Sequence, residues 1–552
     1  MERKKRDVWS VISVFFFLLF LLILIYPLFG ILRQSVYSDQ GELSLAQFIK
    51  FFSNPYYTIT ITNSAKVTLV VTLVTLLIGI PFSYFYSFYR LKGAKFLFVI
   101  SILCCMSAPF IGAYSWIMLL GRSGVITQFL KNYLGIDIGN IYGFGGITLV
   151  QSLKLFPLVF IYMNGAFKNI DNSLMEASAN MGCTGVKRFF RIVMNLSMPT
   201  ILAAALIVFM RAIADFGTPL LIGEGYRTFP VEIYSQYLGE NGTNHNFAAA
   251  ISVIAILVTA VVFFFQKWAT GKYKFSINSL HPVEKKKPKG IAGVLMYVYC
   301  YGLCAIAFLP QVYIIYLSFR NVNGMVFKDG FSLVNYETII SKKRLLLGRS
   351  ITNTLYQSIA ALAIIIIFAI LIAYLVVRRR SMLNNTIDTM SMLPYIMPGS
   401  VIGIALIMSF GPAPFGLTGT MLIMILSMVI RRMPYTIRSA TATLMQIPIS
   451  TEEAAISLGS SKLKTFIKVT VPMMSSGILS GAVLSWVSIV TELSSSIMLY
   501  NNKTINLTMS TYIAISNGSY GPACAFASIL TAVTTLVLVA YLAISKSEDI
   551  RM

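Results

Sequence analysis

EAAISLGSSKLKTFIKVTVP, Glu453 to Pro472, lies between two long apolar segments and is itself polar. It opens on Glu453-Ala454-Ala455, carries Gly459 six positions after the glutamate, and closes on Val469-Thr470-Val471-Pro472. A second copy begins at Glu176-Ala177-Ser178, with Gly182 again six residues on. The two openings lie 277 residues apart, half of the 552-residue chain. An ordinary amphipathic connector explains one such stretch. Two at identical spacing, half a chain apart, indicate an internal duplication.

The residues of the stretch spell a short helix, a bend and a second helical run. Alanines favour helix. Ser450 or Thr451 is placed to cap the start, and Glu452 and Glu453 fall in the first turn, where acids favour the helix dipole. Gly459 permits a sharp turn.

Hydrophobic residues make up 57% of the chain and charged residues 12%, against roughly 25% charged in soluble domains. This is the composition of an all-α polytopic membrane protein. The formal net charge is +24, but the basic residues do not form one patch. They fall in loops between apolar runs, where they set topology and meet anionic membrane lipid, so nucleic acid is excluded as a partner. The six cysteines form no CxxC pair, and the two histidines, His245 and His281, make no metal-ligand pair. A small buried apolar role fits the cysteines better than disulfides or metal.

Apolar runs long enough to span follow one another along the chain. In the first half they lie near 8–32, 63–89, 96–120, 147–167, 199–222 and 247–265. In the second they lie near 291–317, 351–377, 386–410, 417–437, 472–498 and 522–545. This gives about 12 transmembrane helices in two homologous six-helix halves, residues 1–266 and 291–552, joined by a basic linker, 267–290. Asn63 matches Asn353, Pro157 matches Pro434 and Asp215 matches Glu492 between the halves. The excess of Lys and Arg puts both termini, the linker and both polar loops on the cytoplasmic side. An even number of spans per half makes the halves parallel repeats. The stretch from Arg320 to Arg349 is basic yet external on this plan, and reads as a solvated loop rather than a docking surface.

The Glu-Ala-Ala opening, the glycine six residues on and the apolar-x-apolar-Pro close resemble the cytoplasmic EAA loop of membrane subunits of ATP-binding-cassette importers. The resemblance covers nearly the whole chain, as a tandem-fused permease of the type I ABC importer fold. It implies that Glu176, Ala177 and Gly182, and Glu453, Ala454, Ala455 and Gly459, dock on two copies of a cytoplasmic ATPase. It also implies an external solute-binding protein and a bacterial cell membrane as the location. The first copy departs from the pattern: Ser178 replaces the second alanine, Asn195 stands where proline is expected, and Pro199 comes four residues late. A looser dock or a longer helix into the fifth span follows. Ala214-Asp215-Phe216-Gly217-Thr218-Pro219 and Glu492-Leu493-Ser494-Ser495 resemble the ferric-iron branch, with phosphonate, polyamine and thiamine permeases as alternatives. A secondary transporter or channel with parallel repeats is the reading from another class.

No GxxxxGK[ST] motif is present, so ATP hydrolysis falls to separate subunits. The chain is not read as an enzyme, and no cofactor is expected in it. Charges inside the spans are costly and mark sites. Arg211 and Asp215 are four apart in the fifth span and would share a helix face. At the position equivalent to Arg211 stands Ser488, which leaves Glu492 without a local partner. Two readings stay open: a structural triad of Arg211, Asp215 and Glu492, or a pathway lined by the two carboxylates. Hard cations prefer oxygen ligands, which suits the second.

Overall fold

The computed structural model describes residues 8–544, apart from 39, 107, 138, 169, 240–243, 273–284, 325, 342–346 and 396. The basic start and most of the linker, His281 included, therefore lie outside the described residues.

The first half supplies α1 (Val8–Ser35), α2 (Pro55–Phe88), the shorter α3 (Ala94–Met106) and α4 (Pro109–Leu120), and α5 (Phe144–Lys168). After the first polar loop, with α6 (Asn172–Asn180), come α7 (Gly185–Ile213), the short α8 (Gly217–Ile222) and α9 (His245–Lys272). The second half repeats this order. It has α10 (Gly290–Ser318), α11 (Leu347–Arg378), the pair α12 (Met382–Met392) and α13 (Gly399–Phe410), and α14 (Met421–Gln446). The second polar loop carries α15 (Ser450–Ser457), and then come α16 (Lys462–Met473), α17 (Ser475–Val490), the short α18 (Ser496–Leu499) and α19 (Tyr520–Ile544).

Among the described residues, nine helices are long and apolar enough to cross a membrane, and up to eleven if each bent pair is one span. α14, with 26 residues, covers most of the apolar run read at 417–437, and it stands outside that count because it carries Arg431, Arg432 and Arg438. Its charges are answered by acids of its own unit, as described below. Between α10 and α11 the chain folds as an antiparallel hairpin, β1 (Arg320–Asn323) and β2 (Val326–Phe331), that sequence periodicity did not reveal. Arg320 pairs there with Asp329 at 2.8 Å.

The chain packs as two units that cut across the repeat boundaries. One gathers Met1–Ser53, Ile233–Ile256 and Ser318–Met552; the other gathers Asn54–Glu232 and Leu257–Leu317. Each unit is thus built from the core helices of one half and the first span of the other. In the unit of α11 to α19, Trp9 of α1 sits 4.3 Å from the Tyr374 ring and 5.0 Å from Phe466. Phe16 meets Phe368 edge-on at 5.1 Å. In the unit of α2 to α8, Tyr299 of α10 donates to the Ile78 carbonyl at 2.6 Å, and Ser115 donates to the Pro310 carbonyl at 2.6 Å. Lys286, at the linker's end, pairs its backbone with Phe88 and Arg90 at 2.9 Å each. Burying large aromatics at these contacts fixes the first spans where hydrophobicity alone would leave them free to lie anywhere in lipid.

Candidate functional site: two polar loops and two acids at broken helices

The two loops end their short helices in the same way. Gly182 has φ +74° and Gly459 φ +90°. Cys183 N donates to Ser178 O at 2.8 Å and Gly182 N to Ala179 O at 2.9 Å; Ser460 N donates to Ala455 O at 3.1 Å and Gly459 N to Ile456 O at 2.9 Å. This is the Schellman closure, in which a left-handed residue lets the helix satisfy its last carbonyls. A Cβ at either glycine would meet nothing within 4 Å, so the requirement is conformational. It explains the spacing: eight or nine helical residues, one capping residue, then a glycine.

The loops begin differently. Asp171 caps α6 by accepting from Ser173 N at 2.9 Å. Its counterpart 277 residues on is Pro448. The expected cap by Ser450 or Thr451 does not form; α15 has Ile449 at its N-cap with no side-chain hydrogen bond. Both hydroxyl residues are instead inside the first turn, because the turn starts from the carbonyls of Pro448 and Ile449.

Glu176, Ala177, Glu453 and Ala454 are exposed, and Ala455 is half-buried. Next to each glycine stands an apolar side chain that sequence reading passed over: Met181 is 78% exposed and Leu458 90%. These occupy equivalent positions. The same position on both polar loops thus presents a largely exposed apolar side chain.

Each loop then feeds a widened, i→i+5 turn in the same register, Phe189–Val193 and Phe466–Thr470. Tyr84 meets Phe189 at 4.8 Å and Tyr374 meets Phe466 at 4.7 Å. Beyond them the halves diverge. α7 runs unbroken through Pro199, whereas α16 and α17 are bent by 66°. Pro472 lies two residues before the break at Met474, and a proline both lacks the amide hydrogen and crowds the preceding turn.

The membrane acids stand two residues past a helix end in both halves. α7 stops at Ile213 and α17 at Val490. Asp215 is therefore not on the helix that carries Arg211, and the expected shared face does not extend to it. Its carboxylate accepts from Gln151 Nε2 of α5 at 3.0 Å and lies 3.5 Å from Thr218 N of α8. Glu492 likewise accepts from Ser495 N at 3.1 Å and Ser494 Oγ at 2.9 Å. In both halves the acid receives amide hydrogens freed by the break.

Glu492 was expected to lack a local partner, and the structure corrects this. Arg431 and Arg432 of α14 both bond its carboxylate, and Arg431 also donates to Ser494 Oγ at 2.6 Å. The carboxylate side chain is 1% exposed. Gly399 is required here: a Cβ would collide with the Arg431 guanidinium and the Ser494 hydroxyl. The signal was present as two adjacent arginines inside an apolar run. It was legible only as a pair of charges, since their partner lies 60 residues further along the chain. In the first half Lys154 and Leu155 hold the equivalent positions. Among the described residues, no three His, Cys, Asp or Glu side chains gather into a metal-ion site.

Comparison with known proteins agrees with the duplicated plan. Residues 76–274 and 343–547 each match the family described as binding-protein-dependent transport system inner membrane component. The ferric transport system permease protein FbpB of Actinobacillus pleuropneumoniae is 28% identical over 98% of this chain and 78% of its own. The putative ferric transport system permease protein FbpB 1 of Haemophilus influenzae is 28% identical over 90% of this chain and 77% of its own. The spermidine/putrescine transport system permease protein PotB of Haemophilus influenzae is 27% identical over 39% of this chain and 76% of its own. The chain belongs to the inner membrane components of binding-protein-dependent transport systems, with the family's domain present twice.

Proposed function

We propose that this permease subunit of an ATP-driven importer moves ferric iron handed over by an external binding protein, while two copies of a cytoplasmic ATPase dock on α6 and α15. The observation that carries the cargo is the extent of similarity: ferric-transport relatives run along 98% and 90% of this chain, a polyamine relative along 39%. The docking reading rests on the paired Schellman turns with exposed Met181 and Leu458. Both termini and both loops face the cytoplasm, and hydrolysis belongs to the partner subunits.

Within the membrane the two acids divide their roles. Glu492 is held by two arginines and ties α17 to α14. Asp215, half-buried and bonded to a neutral glutamine, is the acid that meets cargo, with Arg211 one turn before it limiting local charge. Uptake of radiolabelled Fe(III) into proteoliposomes, with the cognate binding protein and ATP, tests both points. Iron is taken up by the native protein, and Asp215→Asn lowers the rate without loss of folded protein. Uptake of spermidine, phosphonate or thiamine in place of iron would overturn the cargo. Full iron uptake in Asp215→Asn would remove that acid from the path.

A further inference from the structure

The two coupling loops share their turn and their aromatic contact but differ in one buried ion pair. In the second half, Arg378 at the end of α11 donates from Nε to Glu452 Oε1 at 2.8 Å, with both side chains 9% exposed. Its Nη2 donates to the Ile447 carbonyl, at the end of α14, at 2.7 Å. Tyr374, one turn earlier on α11, donates to the other Glu452 oxygen at 3.4 Å. One guanidinium thus joins the end of α11, the end of α14 and the first turn of α15.

Among the described side chains the first half has no ion pair at the equivalent places; there Arg188 of α7 donates to the Met175 carbonyl of α6 at 3.3 Å, which ties the loop helix to α7 and not to α2. Phe88 stands for Arg378 in the register that matches Asn63 to Asn353. Met175 stands for Glu452 in the register that matches Gly182 to Gly459. Both are buried, and Phe88 packs on Tyr84 at 4.7 Å and Phe167 at 5.6 Å. Apolar contacts slide at little cost, because dispersion is non-directional. A guanidinium held at two acceptors, a carboxylate and a carbonyl, does not, because each bond is directional and breaking the ion pair leaves a buried charge unpaired.

We propose that Arg378 and Glu452 are positioning residues that make α15 and α11 one rigid lever. Movement of the second loop then reaches the transmembrane core stiffly, while the first loop yields. The two docking sites therefore couple unequally. This rests on the docking of the ATPase proposed above.

The test compares ATPase co-purification with iron uptake per ATP hydrolysed, in proteoliposomes of the full chain with its ATPase and binding protein. Arg378→Met with Glu452→Met removes the charges, keeps the volume and leaves no buried ion. It retains the ATPase but lowers uptake per ATP by a coupling of ordinary size, roughly 5- to 150-fold. The reversed pair, Arg378→Glu with Glu452→Arg, recovers most of it. Should the double-methionine chain not accumulate, Arg378→Lys carries the same test, since it keeps the charge opposite Glu452 but lacks the planar fork that holds Glu452 and the Ile447 carbonyl together. Native uptake per ATP in whichever of these variants accumulates overturns the lever. No recovery in a reversed pair that folds and binds ATPase overturns it as well. Failure of the docking reading shows separately: Leu458→Asp would then leave ATPase co-purification unchanged.

Discussion

Replacing Glu492 by glutamine should strongly destabilise this protein's second half, and the reason is charge balance. The carboxylate side chain is 1% exposed and bonded by Arg431 and Arg432, themselves 10% and 12% exposed. Glutamine keeps the size and one acceptor oxygen but removes the only negative charge bonded to Arg432 among the described side chains. Removing one member of a buried ion pair costs about 3–5 kcal/mol, a large part of the roughly 5–15 kcal/mol that holds a domain folded. At about 1.4 kcal/mol per factor of ten, the folded-to-unfolded ratio falls by about a hundred- to a few-thousand-fold. Arg432→Met does the opposite arithmetic. It leaves Glu492 with Arg431, and it also removes a buried Nε that has no hydrogen-bond partner. Its cost should stay within the ordinary range of single substitutions, about 0.5–3 kcal/mol. Placed in the Glu492→Gln background, it should recover part of the loss, since Arg431 still faces a neutral glutamine. Thermal unfolding of the detergent-solubilised chain, followed by size-exclusion of a fluorescent fusion, ranks the variants. A Glu492→Gln protein that melts like the native one, or an Arg432→Met protein that falls as far as Glu492→Gln, would refute the reasoning.

Further outcomes follow from the loops. Gly459→Val and Gly182→Val meet no neighbour, so their cost is the left-handed backbone alone, at least about 1–2 kcal/mol each; ATPase retention on purification should fall, and less so for Gly459→Asn, since asparagine tolerates that region. Leu458→Asp should release the ATPase more than Met181→Asp does, by pull-down at equal expression, and equal release would speak against unequal docking. Ser460→Cys and Lys286→Cys, in a chain without native cysteines, should resist an impermeant thiol reagent in intact cells; efficient labelling of either would sink the proposed topology.

Much of this protein was legible in its sequence because membrane proteins and repeats write their constraints locally. Twenty apolar residues announce a span whatever they touch, and a glycine at φ +90° must stand at a fixed distance from the start of its helix. So the duplicated loops, the order of spans and the equivalence of Asp215 and Glu492 could be read residue by residue, while their place past the helix ends could not. The errors lie where a partner is distant in sequence. Glu492 looked unpaired because its arginines come from another helix. The caps of α15 failed because Pro448 already starts the turn. Only the tertiary structure decided that α1 packs with the second half's core and α10 with the first's. In lipid an apolar helix gains nothing by choosing one apolar neighbour over another. The choice falls to shape and to a few directional bonds, Trp9 against Tyr374 and Phe466, Tyr299 to the Ile78 carbonyl, and neither is written in hydrophobicity.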